Sequence, residues 1–292
     1  MASRRKRLVN LLAAAASVIT IGLPLASWLS GAPSGGRHGI IILSTLAGLA
    51  GILLVWQEFR YSRKAKYAES LDNIRTMLKI VAEHSTTTTQ ECKNLLQLLL
   101  AEVAEAFTLS SATRVSAVLK QLVSPNGATL HDFYVEDICR DPKSSDRAGR
   151  TNTKHWIDRN TGFKRMFEHV GQAEGKFFYS SDLAKDHHFE TTSFETYGRP
   201  VPNKGFLDRT TSTWTLPYRS TLTVPLTITT GGQPSLAGFL SIDSRARKAF
   251  WIRYDLPFLE AVAFLMRPIV DRYQTLAMQN ATTLKLPPNG GT

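Results

Sequence analysis

Between Tyr218 and Phe264 the chain has little freedom to be anything but two strands and a helix. Leu222, Val224, Leu226 and Ile228 alternate with Thr223, Pro225, Thr227 and Thr229, the period of two that gives a strand one buried face. Thr229, Thr230, Gly231 and Gly232 supply a turn, and a second strand is expected over Phe239 to Ile242, bracketed by Gly238 and Asp243. Asp255 is then placed to cap a helix in which Leu256, Leu259, Val262, Ala263 and Met266 recur at three- and four-residue spacing.

The other strong constraint lies at the opposite end of the chain. Residues 8 to 30 and 39 to 56 contain no charged side chain, and at about 1.5 Å per helical residue each run approaches the thickness of a bilayer core. Pro33, Gly35 and Gly36 lie in the short connection between them. The expectation is a two-helix transmembrane hairpin over residues 1 to 57. The formal net charge is +11, which would suggest nucleic acid if it were spread over a folded surface. Most of it instead flanks the apolar runs, in Arg4 to Arg7 before the first and in Arg60, Arg63, Lys64 and Lys66 after the second, with Arg37 alone between them. That distribution is a topology signal that puts both termini in the cytoplasm, as in a multi-pass inner-membrane protein, and no direct nucleic-acid binding is expected. A cleaved signal peptide is the rival reading of the first run. Neither run holds an ionisable residue, so a charged transport path through the bilayer has no candidate.

After the membrane-like segment, Tyr67, Leu71, Ile74, Leu78 and Val81 trace a seam of barely two heptads. Thr88 with Glu91 forms a capping box for a new helix carrying Leu96, Leu99, Val103 and Phe107. Two readings stand for residues 58 to 108: a dimeric cytoplasmic stalk, or helices packed on their own domain. Val115, Val118, Leu119 and Leu122 extend the helical spacing to the stop at Ser124 to Gly127. Leu130 to Ile138 is expected as the first strand, Asp141 to Asn160 as an exposed loop, and Phe163 to Val170 as a helix. A short strand at Phe177 to Tyr179 follows, then a long flap from Glu190 to Pro217. Residues 281 to 292 are expected to be disordered.

Arg219, Ser220, Val224, Pro225, Leu226, Gly238, Leu240, Ser241, Asp243, Phe250, Asp255 and Leu259 together resemble the C-terminal half of a GAF domain, the small-ligand sensing module of signalling proteins. Ser181, Asp182 and Asp186, in the stretch SSDLAKDHHF, match its strand-to-turn segment. After the transmembrane hairpin and helical stalk read above, the resemblance implies a GAF-like domain over 109 to 280 with an antiparallel sheet flanked by helices, which makes the chain α+β in class. It names no cofactor, and the lack of a cysteine after Cys139 disfavours a covalently attached bilin. The candidate ligand residues are Ser181, Asp182, Asp186, Phe189, Trp214, Arg219, Ser220 and Asp243. An arginine beside a hydroxyl suits a phosphate or carboxylate, and Phe189 and Trp214 are placed to stack on a ring.

His187 and His188 are adjacent and so diverge on an extended chain, without further ligands at metal-site spacing. Cys139 and His131 lack a third orienting group, and two cysteines make neither a disulfide framework nor a zinc site. No phosphate loop, dinucleotide fingerprint or nucleophile elbow occurs, so no enzymatic activity is expected. The reading is a membrane-anchored cytoplasmic sensor, a homodimer or higher homo-oligomer. It binds a small molecule, nucleotides among the candidates, and signals through its stalk to a partner or to the hairpin. A second reading, from architecture alone, is a nucleotide-activated membrane-disrupting effector of bacterial antiphage defence.

Overall fold

The computed structural model describes residues 45, 48–53, 65, 67–76, 78–79, 87–124, 130–144, 154–170, 176–186, 188–200, 214–230 and 233–283. The chain divides into two units, Met1–Lys66 and Tyr67–Thr292. In the first, residues 48–53 are helical and expose Leu49, Ile52 and Leu53. The expected span 8–30 and most of 39–56 lie outside the described residues. No helix among the described residues is long and apolar enough to cross a membrane.

The second unit is an α+β domain. In chain order it contains helix α1 (Thr89–Ser111), strands β1 (Val115–Val123), β2 (Tyr134–Arg140) and β3 (His155–Trp156), helix α2 (Thr161–Glu168), strand β4 (Phe178–Ser180), helix α3 (Ser193–Tyr197), strands β5 (Ser220–Thr230) and β6 (Gln233–Ser244), and helix α4 (Ile252–Thr283). The strands form one sheet in the order β3-β2-β1-β6-β5-β4, antiparallel at every pairing. The β5–β6 hairpin lies inside the sheet, paired with β4 on one side and β1 on the other. At Gly238 the sheet admits no side chain, because a Cβ there would collide with the Lys120 carbonyl oxygen of β1.

One face of the sheet is covered by helices. Val115, Ala117 and Leu119 of β1, Leu222, Val224 and Leu226 of β5, and Leu240 and Ile242 of β6 pack with Leu96, Leu99, Val103 and Phe107 of α1. Phe258, Leu259, Val262 and Met266 of α4 complete this core. Phe107 meets Phe258 edge-on at 5.2 Å. The capping box of α1 is present, with Thr88 and Glu91 serving each other's backbone N–H groups. Its other end closes on Ala112 in the left-handed region, φ 55°.

The heptad seam turns inward rather than projecting as a stalk. Tyr67 and Ile74 are buried in the same core, and Leu71 and Leu78 pack against it. Tyr67 stacks on Phe258 at 4.3 Å, and its hydroxyl donates to Asp255 Oδ1 at 2.8 Å. From Tyr67 onwards the described part of the segment that the stalk reading assigned to 58–108 therefore packs in the core of the second unit, which begins at Tyr67 and not at residue 109.

Other expectations are corrected in detail. Val115 to Leu122 is a strand: the spacing 115, 118, 119, 122 mimics a helix face, but the chain has already left α1 at Ala112, and the faces alternate. Leu130–Asp132 is a short 3-10 turn, and the strand after it, Tyr134–Arg140, is second in the chain. The loop expected over 141–160 contains the edge strand β3, paired with β2 through Tyr134 and Val135. The flap at 190–217 contains α3, and α4 continues through Thr283 into the tail expected to be disordered. Asp255 caps from inside the first turn of α4, accepting the Trp251 N–H at 2.7 Å.

Candidate functional site

Alternation places Thr221 and Thr223 of β5, Ser241 and Asp243 of β6, and Val118 and Lys120 of β1 on the face turned away from α1 and α4. Register sets them in rows, with Thr223 opposite Ser241 and Ser241 opposite Val118. Thr221 stands opposite Asp243. These residues are all buried, so the threonine side of β5 faces a second enclosed layer and not solvent.

That layer consists of α2, the segment from Ser181 to Pro200 and the turn at Trp214 to Tyr218. It is partly apolar: Val135, Ile157, Met166, Phe178, Leu183 and Phe239 form a second, smaller core, with Phe163 of α2 at 4.8 Å from the Phe239 ring. Helix α2 sits close to the sheet because residue 162 is glycine; a Cβ there would lie 2.7 Å from the Phe178 ring. Between this layer and the sheet remains a cavity of about 120 Å³.

The floor of the cavity is charged and hydroxylated. Lys120 Nζ donates to Asp137 Oδ1, and Arg140 Nη2 donates to Asp137 Oδ2 at 2.9 Å. Burial pushes the Asp137 carboxyl up, but the two cations outweigh it and hold the group at about 2. Asp137 is the shared counter-ion of both bases. Arg140 is itself raised: burial disfavours its charge, but Asp137 more than offsets that, with smaller help from Asp243 and Asp141. The Arg140 Nε has no hydrogen-bond partner among the described residues. Thr223 Oγ1 donates to Ser241 Oγ at 3.0 Å, and Thr221 Oγ1 to the Ile242 carbonyl at 3.3 Å. Tyr218, also in the wall, is pushed up to about 12 by burial and then by Asp243.

The roof is held by a small polar network. Asn160, at the start of α2, accepts from Thr191 Oγ1 at 2.9 Å and from the Thr192 N–H at 3.2 Å, and donates to the Trp156 carbonyl at 2.6 Å. His155 Nδ1 meets Thr192 Oγ1 at 2.8 Å. Burial first, and then the nearby Lys120, lower His155 to about 3, so the imidazole is neutral at physiological pH. On the outer rim Arg199 holds both oxygens of Glu190, at 3.0 and 2.9 Å.

Of the residues expected from sequence, Phe189 and Asp243 line the cavity. Ser181, Asp182, Arg219 and Ser220 come together elsewhere, at the corner between β6 and α4. There Arg219 Nε donates to Asp182 Oδ1 at 2.7 Å, Ser220 Oγ to the Ala246 carbonyl at 2.8 Å, and the Lys248 N–H to the Ser181 carbonyl at 2.7 Å. Asp186 accepts the His188 N–H within its own turn. Trp214 anchors the wall by donating from Nε1 to the Tyr218 carbonyl at 2.6 Å. Cys139 and His131 are not brought together: Cys139 is buried in the helical core, its thiol pushed up to about 12 by burial, and His131 pairs with Asp158 at 2.8 Å. Among the described residues no group of three or more His, Cys, Asp or Glu side chains is arranged to hold a metal ion.

Lys120, Asp137, Arg140, Thr221, Thr223 and Ser241 were not among the expected site residues. A signal existed for the hydroxyl rows, since threonines alternating through a strand with four apolar partners on its other face ask what covers them. None existed for the ion triad, which depends on the pairing of β1 with β2 across a bulge between Leu119 and Lys120.

No family model and no curated protein matches the chain. Among solved structures, the GAF domain of a phosphoenolpyruvate-protein phosphotransferase from Coxiella burnetii is similar at 8% identity and TM-score 0.45, covering 73% of this chain and 98% of that one. The corresponding domain from Acinetobacter shows 11% identity and TM-score 0.41, covering 70% and 95%. A free methionine-R-sulfoxide reductase from Neisseria meningitidis, solved with its substrate, shows 15% identity and TM-score 0.40, covering 72% and 90%. Likenesses this distant fix neither a ligand nor a reaction for this chain.

Proposed function

We propose that the domain is a small-molecule sensor whose ligand lies on the polar face of the sheet, and that residues 8–30 and 39–56 attach it to a membrane. The observation that carries the ligand reading is the set of polar groups on the cavity floor: Lys120, Thr221, Thr223, Ser241 and Asp243, all buried, with the half-buried Arg140 beside them. Burying so many polar side chains costs stability unless they are satisfied, and stability alone would favour the apolar packing seen on the sheet's other face. Membrane attachment is supported by the charge-free runs and their basic flanks.

The cavity limits the ligand. At about 120 Å³ it is somewhat smaller than an engineered apolar cavity of roughly 150 Å³ that holds a benzene, so a nucleotide does not fit without opening of the roof. The cations Lys120 and Arg140 suit a carboxylate or a similar small anion. Asp243 and the hydroxyl rows suit an ammonium or another donor. A compact molecule carrying both, of amino-acid size, matches the floor best. In this reading, binding closes the segment around α3 over the ligand, and the change reaches the buried α1 and α4 through the shared sheet.

The test is a thermal-shift screen of the purified full chain against amino acids, small carboxylates and mononucleotides. The expected result is stabilisation by a member of the first or second group, absent in Asp243→Asn. Stabilisation by nucleotides alone would overturn the size argument.

A further inference from the structure

We propose that the corner between β6 and α4, carrying Arg245, Arg247, Lys248, Trp251 and Arg253, docks on an anionic lipid surface. From Ser244 to Tyr254 the sequence holds four cations and no carboxylate. Arg245, Arg247, Lys248 and Arg253 are all exposed, and the indole of Trp251 is 42% exposed. Arg114, also exposed, joins them, since its carbonyl accepts from Ser244 Oγ at 3.0 Å.

The acidic groups packed around this corner are already committed. Asp182 is buried between Arg219 and Arg247, at 2.7 and 3.5 Å. Glu105 pairs with Lys143 at 2.6 Å. Asp255 is fully buried and accepts from Tyr67 and Trp251. Among the described residues no carboxylate lies within ion-pair distance of Arg114, Arg245, Lys248 or Arg253, so the corner presents net positive charge. Exposed arginine and lysine beside a tryptophan is the composition that favours the headgroup level of a bilayer, where the indole sits amphipathically and the cations meet phosphate.

The corner is also built to hold its shape. Lys248 takes a left-handed backbone, φ 53°, and its N–H is tied to Ser181, while Ala246 is held from both sides by Ser220 and Ser244. Ser181, Asp182, Arg219 and Ser220 thus serve to present the basic loop. Tyr67, the first residue of this unit, is bonded to Asp255 in the first turn of α4. The segment preceding it in sequence contains Arg60, Arg63, Lys64 and Lys66. The proposal rests on the reading of residues 8–30 and 39–56 as a membrane anchor.

The experiment places the full chain in nanodiscs of phosphatidylcholine, or of phosphatidylcholine mixed with phosphatidylglycerol. Lysines are then acylated with a water-soluble amine-reactive ester and read by mass spectrometry. Lys248 is expected to react at least about tenfold more slowly in the anionic discs, since each cation near a charged surface is worth roughly fivefold in association. Lys164, partly exposed on α2 beside Glu168, should react equally in both. Arg245→Glu combined with Arg253→Glu, at two exposed positions, should restore Lys248 reactivity without changing the melting temperature. Equal Lys248 labelling in the two discs, with the chain incorporated in both, overturns the docking surface and leaves the anchor intact. Capture by anionic discs alone supports the corner and overturns the anchor; association with neither overturns both.

Discussion

The two faces of the one sheet are built from the same strands and obey opposite rules. Toward α1 and α4, strands β1, β2, β5 and β6 contribute apolar side chains to a continuous core. Toward α2 and α3, the same strands contribute Lys120, Thr221, Thr223, Ser241 and Asp243, all buried, and Asp137, whose side chain is covered by its two cations. Both faces are enclosed, so exposure to water does not account for the difference. The lesson is a division of labour: one face supplies the hydrophobic stabilisation, and that surplus allows the other to keep polar groups where a ligand can use them.

Variants sharpen or break this contrast. On the apolar face, Phe107→Ala removes a fully buried ring packed against Phe250 and Phe258 and is expected to cost about 3–5 kcal/mol, read by urea denaturation. On the polar face, Asp137→Ala leaves Lys120 and Arg140 without their shared counter-ion. The expected loss is also about 3–5 kcal/mol, whereas the triple variant Lys120→Met, Asp137→Leu, Arg140→Met should cost far less, because replacing a whole buried ionic group by apolar side chains is often nearly neutral. If that triple variant is as unstable as Asp137→Ala alone, the triad is structural and the contrast between the faces fails.

Acid should weaken the polar face first. His155 has a folded value near 3 against an ordinary 6.5, so below pH 6.5 the unfolded chain binds a proton that the folded chain refuses. Stability is full above that value and falls as pH drops toward 3, by roughly 2 kcal/mol between pH 7 and pH 5. Asp137, depressed from 3.8 to about 2, adds a further loss as pH falls through that lower window. Urea denaturation of His155→Gln at both pH values should show the upper part of this slope removed; an unchanged slope would assign it to another group. The smallest effect on stability is expected at Thr223→Val, under about 1 kcal/mol, since it loses one hydroxyl pair with Ser241 and keeps its volume.

The contrast also explains what could be read before the structure was known. The β5–β6 hairpin was legible because alternation with turn residues is a local signal, and the capping box at Thr88 and Glu91 likewise. Strand β1 was not, since Val115, Val118, Leu119 and Leu122 have helical spacing while the strand puts them on two faces that are both covered, and the left-handed stop at Ala112 leaves no mark in residue type. The seam at Tyr67, Leu71, Ile74 and Leu78 was visible as an apolar stripe, but a stripe does not say whether it faces a second copy or its own core. At the site, Asp243 and Phe189 were reachable from strand ends and turns. Lys120, Asp137 and Arg140 were not, because they meet only through strand pairing and a bulge. Arg219 and Asp182 were expected as ligand residues, and the structure pairs them with each other at the β6–α4 corner.

The central claim is that the polar face of the sheet binds a small molecule with groups that folding does not require. Calorimetric titration of an amino-acid-sized ligand from the thermal-shift screen into wild type and the double variant Thr223→Val, Ser241→Ala tests it most directly. The account predicts at least about tenfold weaker binding in the double variant, as expected from the loss of hydrogen bonds worth roughly 0.5–1.5 kcal/mol each, with a melting temperature close to wild type. Equal affinity in the two proteins would contradict it.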